Sequence, residues 1–208
     1  MIFNLATHVS WFLLASTALA SPTNLVRRDD KVIIVHRTCS EVLKVQRSDT
    51  FDNPNTQHQL GYGLYTSPAP GEYMGDKSGN WICVIYMEED FFKDIPKAWI
   101  PEKYKGQVLW ERPEDTILDY VAHGSGVGGD EAPSALRISI FPHDGKEDLQ
   151  LLIPTDLANA HDGEITAKCA ATKEGLPIQK TVNYDDWDDV KGHKTDPGNS
   201  DSDSEKDD

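Results

Sequence analysis

Short runs of β-branched and aromatic residues, separated by polar turns, dominate the pattern of this chain. Lys31-Val32-Ile33-Ile34-Val35-His36 predicts a buried strand, and Trp81-Ile82-Cys83-Val84-Ile85-Tyr86-Met87 is the clearest strand signal. Three further runs read as strands: Leu136 to Phe141, Leu149 to Ile153 and Glu164 to Cys169. His143-Asp144-Gly145-Lys146 has the composition of a hairpin turn between the first two. Leu60-Gly61-Tyr62-Gly63-Leu64-Tyr65-Thr66 is short, aromatic and punctuated by glycine, as in a strand that passes close to another group. Thr38-Cys39-Ser40-Glu41 predicts a helix start capped by Thr38 or Ser40, and Glu72-Tyr73-Met74-Gly75 one helical turn. Residues 49–59 read as a loop and 88–115 as irregular chain. Gly124 to Gly129 reads as a flexible loop without the strand, helix and lysine of a phosphate loop. The sum is an α+β domain with more strand than helix and with its helices early in the chain.

The two ends differ from this middle. An apolar stretch through Trp11-Phe12-Leu13-Leu14-Ala15 closes on Ala18-Leu19-Ala20, the small-residue pattern that signal peptidase accepts. Residues 1–20 are therefore expected to be a signal peptide, and the protein to be secreted and extracellular. The dibasic Arg27-Arg28 makes residues 21–28 a candidate pro-segment, with an exposed loop as the equal alternative. One domain over residues 29–183 is expected, then a disordered acidic tail over 184–208, which has too little apolar surface to offset its ordering entropy. That tail lacks the spaced loop of a calcium-binding hand. A formal charge of −15 argues against nucleic acid as a partner. No membrane partner is expected either, since the N-terminal apolar run is too short to span a bilayer and no second one follows. Of three cysteines, Cys39, Cys83 and Cys169, two are expected to pair and one to remain. All three pairings stay open. No Cys/His spacing suggests zinc.

One constellation points to chemistry. A strand ends in His36-Arg37-Thr38, then come Gly61-Tyr62-Gly63-Leu64-Tyr65-Thr66-Ser67, Tyr73 and the strand from Trp81. In this order they resemble the ADP-ribosyltransferase fold of the diphtheria toxin and poly(ADP-ribose) polymerase type. The resemblance implies split mixed and antiparallel sheets with few helices, NAD as substrate, no metal, and a protein acceptor of unknown identity modified by a monomer. It implies that His36 bonds the adenosine-side ribose, that Tyr65 and Tyr73 sandwich the nicotinamide, and that Thr38 supports the nicotinamide pocket. Gly61 and Gly63 would let the backbone approach the ligand. Arg37 stands where the family has a glycine that holds the carboxamide, and Gln150 stands where it has the catalytic glutamate, with Glu147 as the fallback acid.

Cleaving the nicotinamide–ribose bond develops positive charge on the ribose, which a carboxylate stabilises and an amide does not. In the cholera-toxin branch of the fold, Arg37, Thr66-Ser67, and Glu111 or Glu114 take the corresponding places. Two functions follow: a mono-ADP-ribosyltransferase or NAD glycohydrolase, or a secreted effector that keeps the fold and has lost catalysis.

Overall fold

The computed structural model describes residues 31–40, 58–72, 80–143, 146–160 and 164–197. The expected signal peptide, pro-segment, Tyr73 and hairpin tip at Asp144-Gly145 lie outside the described residues.

The fold is α+β, with few helices and two main sheets. The first sheet holds β1 (Lys31–Ser40), β3 (Asn80–Glu88) and β9 (Ile165–Ala170) in the order β1-β3-β9, all antiparallel. The second takes in β2 (Gly63–Thr66), β4 (Lys97–Trp99), β7 (Leu136–His143), β8 (Lys146–Pro154) and β10 (Val190–Gly192), in the order β10-β4-β7-β8-β2. It is mixed: β10/β4 and β4/β7 are parallel, β7/β8 and β8/β2 antiparallel. A small hairpin, β5 (Lys103–Tyr104) and β6 (Gln107–Val108), stands apart. The helices α1 (Glu89–Asp94), α2 (Glu114–Asp119) and α3 (Thr155–Ala160) are short, and a wider π-type turn, Tyr120–Gly124, extends α2.

Alternation along the strands places three apolar clusters. Ile34, Val35, Ile85 and Met87 of the first sheet meet Leu64, Leu136, Ile138, Leu151 and Ile153 of the second in the main core. Each such side chain contributes roughly 1.5–3 kcal/mol when fully buried. The opposite face of the second sheet packs Leu152 and Ala98 on Ile117, Tyr120 and Val121. The opposite face of the first packs Val84 and Tyr86 on Leu176. A register shift between Ile33 and Val35 in β1 lets two successive residues, Ile34 and Val35, face the main core.

Several expectations need correction. β1 does not give way to a helix at Thr38: Thr38, Cys39 and Ser40 continue the ladder opposite Ile82, Trp81 and Asn80. Here a long apolar partner strand outweighs the capping tendency of threonine and serine. Among the described residues the helices are spread from Glu89 to Ala160; the expected helical stretches after Ser40 and after Glu72 lie outside them. Residues 88–115 are also more regular than their composition suggests. Acidic Glu89 and Asp90 open α1, and the buried Lys97 closes it by donating from Nζ to Phe92 O at 2.6 Å and Ile95 O at 2.9 Å.

The acidic tail does not begin at Tyr184. Tyr184 is fully buried, Trp187 packs against both Tyr184 and Phe92, and β10 pairs with β4. Two aromatic anchors inside an aspartate run supply the apolar surface that composition averaging hides. No helix among the described residues is long and apolar enough to cross a membrane.

The structure selects one cysteine pairing, Cys83 with Cys169, which face each other across β3 and β9 at a sequence separation of 86. Replacing both with alanine is expected to lower stability by about 2–5 kcal/mol while keeping the fold. Urea unfolding followed by circular dichroism measures it. No loss of stability would mean that the pair is open in the purified protein.

Candidate functional site

Besides packing on each other in the main core, the two sheets are joined among the described residues by an isolated backbone bridge. His36 N donates to Ser67 O at 2.9 Å and Ser67 N to His36 O at 2.8 Å, which brings the strand-end His36-Arg37-Thr38 beside the end of β2. Beyond the bridge β1 and β2 part, and a cavity of about 270 Å³ opens there. Arg37 and Thr38 line one lip, Tyr65, Thr66 and Ser67 the other, and Phe141, Gln150 and Glu72 complete it.

Register explains the second lip. Tyr65 and Arg137 both oppose Leu152, and Ser139 opposes Gln150, so these side chains share the face of the sheet turned away from the main core. Gln150 is buried, and its Nε2 donates to Gln59 Oε1 at 2.7 Å, while Gln59 Nε2 donates to Ile140 O at 2.8 Å. Glu147 lies an odd number of residues before Gln150 and so faces the other way. It is exposed and lines a separate groove with Trp110, Ile140 and Lys194. As a fallback acid for this cavity Glu147 is therefore withdrawn.

Tyr65 is fixed by its own loop. Its hydroxyl donates to Gly61 O at 3.0 Å and accepts from Leu60 N at 2.7 Å, and His58 lies near-parallel to its ring at 6.0 Å. Burial pushes the phenol well above its ordinary range. Behind the loop, the buried Arg137 donates from Nη2 to Glu114 Oε1 at 2.6 Å and from Nη1 to Leu60 O at 2.8 Å, and Tyr62 N donates to Glu114 Oε2 at 2.8 Å. Gly61, at φ +89°, sits against this pair, where a Cβ would collide with Glu114 and Arg137. Gly63 sits against the backbone of Ile153, which a Cβ would also strike. The close approach expected of both glycines is thus to the protein's own groups. Glu114 is committed to Arg137, and Glu111 is exposed; neither lines the cavity.

His36 is adjacent to the cavity without lining it. It shares a face of β1 with Thr38, is fully buried, and donates from Nε2 to Lys180 O at 2.9 Å. Its Nδ1, and Oγ1 of Thr38, are buried without a hydrogen-bond partner among the described residues. Leaving such groups unpaired costs about 1–3 kcal/mol each; Thr155 Oγ1 and Tyr184 OH, away from the cavity, are in the same state among the described residues. Burial holds the His36 imidazole below its ordinary range; the Lys180 carbonyl opposes this shift and Lys173 adds to it.

Sequence reading passed over two carboxyl groups here. Glu72 lines the cavity and accepts from Ala69 N at 3.0 Å. Burial raises its pKa, the Ala69 N–H opposes the rise, Asp148 adds to it, and Lys173 lowers it. Asp148 lies two residues before Gln150 on the same face of β8. The signal for Glu72 was its place just after the second lip, which the choice of neighbouring Tyr73 obscured.

Two outcomes test this geometry. Arg137→Ala leaves Glu114 partly buried and unpaired, and is expected to destabilise the fold by about 3–5 kcal/mol in urea unfolding. A loss no larger than that of a surface alanine would mean that Glu114 finds another partner. For His36 the folded pKa lies below the ordinary 6.5. At higher pH both states are neutral; below it the unfolded chain takes up a proton that the folded one refuses, so stability falls with pH. His36→Gln, which retains a donor for Lys180, is expected to flatten the melting-temperature profile between about pH 7 and pH 5.5. Glu72 acts in the reverse sense, its contribution being lost as pH rises above the ordinary 4.5. An unchanged profile in His36→Gln would show the ring to be solvated.

No curated protein and no solved structure gives a significant match to the chain. A family match takes in Tyr65, Glu72, Gln150 and β10, and starts after β1. It covers residues 58–193, well over half of the chain, and is described as "Family of unknown function (DUF5910)", the family to which this chain belongs.

Proposed function

We propose that this is a secreted NAD-binding protein of the ADP-ribosyltransferase type, which takes the nicotinamide end of NAD into the cavity where β1 and β2 part. Cleavage of the nicotinamide–ribose bond is slow in it, with water as the acceptor. The observation that carries this reading is the convergence of Thr38, Tyr65 and Gln150, three residues from distant parts of the sequence, on one cavity. A volume of about 270 Å³ suits a single ring with its carboxamide, since pockets for drug-sized ligands run to roughly 300–1,000 Å³. The aromatic Tyr65 and Phe141 offer faces to a pyridinium, and Thr38, whose buried Oγ1 has no hydrogen-bond partner among the described residues, stands on the same wall.

Weak cleavage follows from Gln150. An amide engaged with Gln59 supplies no negative charge to the developing oxocarbenium ion. The carboxyl group in the cavity is Glu72, and burial favours its neutral form. The second reading, binding without turnover, draws on the same two facts.

Thermal shift with nicotinamide and with NAD, and nicotinamide release from NAD, separate these readings. Nicotinamide is expected to raise the melting temperature of the chain, and Thr38→Val to weaken its binding by about tenfold. Gln150→Glu is expected to speed nicotinamide release by at least about tenfold. If the folded chain shifts with neither compound, the NAD reading is wrong; if Gln150→Glu gains nothing while binding persists, the protein is a binder alone.

A further inference from the structure

His36, one position along the same face of β1 as Thr38, is covered by the chain between β9 and Tyr184. That segment is exposed over 171–175 and 177–181. Between those stretches Leu176 is buried against Val84 and Tyr86. Lys180 O accepts from His36 Nε2 at 2.9 Å, and Val182 N donates to Pro68 O at 2.9 Å, just past the second lip. Lys173 is near enough to act on both His36 and Glu72. Both ends are firmly held: Cys169 is bonded to Cys83, and Tyr184 is fully buried ahead of β10. The middle, by contrast, rests among the described residues on buried Leu176, on half-buried Val182 at the edge of the main core, and on two hydrogen bonds. That is the profile of a segment that opens without unfolding the rest.

We propose that residues 171–182 form an autoinhibitory strap that closes the His36 end of the cavity and lifts away, tethered at both ends, to admit ligands longer than the nicotinamide ring. The strap bears on function only where the cavity takes the nicotinamide end of NAD, the reading given above. In the closed arrangement the Lys180 carbonyl occupies the hydrogen bond that His36 Nε2 would offer to a ligand, and the cavity is too small for a dinucleotide. A protein whose open form is a minor population binds long ligands more weakly by that fraction, whereas a ligand confined to the closed cavity is unaffected.

Leu176→Ala in the full secreted chain tests this, with Ile178→Ala, at an exposed strap position, as control. The readouts are the NMR titration of the His36 ring and the affinities for nicotinamide and for NAD. Leu176→Ala is expected to move the His36 titration up toward the ordinary range and to tighten NAD binding by about fivefold or more, with nicotinamide affinity unchanged. Ile178→Ala is expected to change neither.

An unmoved His36 in folded Leu176→Ala overturns the strap. A moved His36 with nicotinamide bound but no gain for NAD overturns the gate while leaving the cavity reading intact. A moved His36 with no nicotinamide bound to either protein overturns the cavity reading, and gating with it. Should Leu176→Ala fail to fold, amide hydrogen exchange on the unsubstituted chain decides. Exchange at 172–182 through an opening that leaves β3 protected supports the strap, and exchange of both as one unit overturns it.

Discussion

The site depends on a pair of backbone hydrogen bonds between His36 and Ser67. Each sheet would otherwise end in an open edge, β1 on one side and β2 on the other, with unpaired N–H and C=O groups. One bridge satisfies the edges where they meet, and the strands then diverge because each follows the twist of its own sheet. The result is a slot whose two lips come from different sheets, built over a core the sheets share. A shape of this kind can bind a small ring without any dedicated binding loop.

Behind the second lip lies a more expensive device. Arg137 and Glu114 are taken largely out of water and compensated by the Leu60 carbonyl and the Tyr62 amide, so the ion pair and the loop hold each other. This arrangement presents Tyr65 with its hydroxyl already satisfied and its ring turned to the cavity. Gly61 is part of the same device, because any larger residue would displace the pair. The glycine-and-tyrosine motif therefore shapes the lip as much as it offers surface to a ligand.

The electrostatics of the slot are unusual for a reaction that develops positive charge. A buried amide lines it, held by Gln59, while Glu72 lies at its wall, its ionisation disfavoured first by burial and further by Asp148. The segment that carries Lys180 across His36 covers that ring.

Local pattern was enough to determine the α+β class, five of the longer strands and the β7–β8 hairpin, because alternation and turn chemistry act over a few residues; the nearness of Thr38, Tyr65 and Gln150 was expected only from the resemblance to the ADP-ribosyltransferase fold. The continuation of β1 past Thr38, the choice of Cys169 for Cys83 and the role of Gly61 depended on partners dozens of residues away. The same holds for Tyr184 and Trp187, whose burial folds the first part of the acidic segment although its composition reads as solvated chain. Face assignment separated Glu147 from Gln150, and a crossing segment covers His36. Neither is written in local spacing: a strand's two faces are equivalent until sheets pack, and a cover exists only once the chain has returned across the strand it covers.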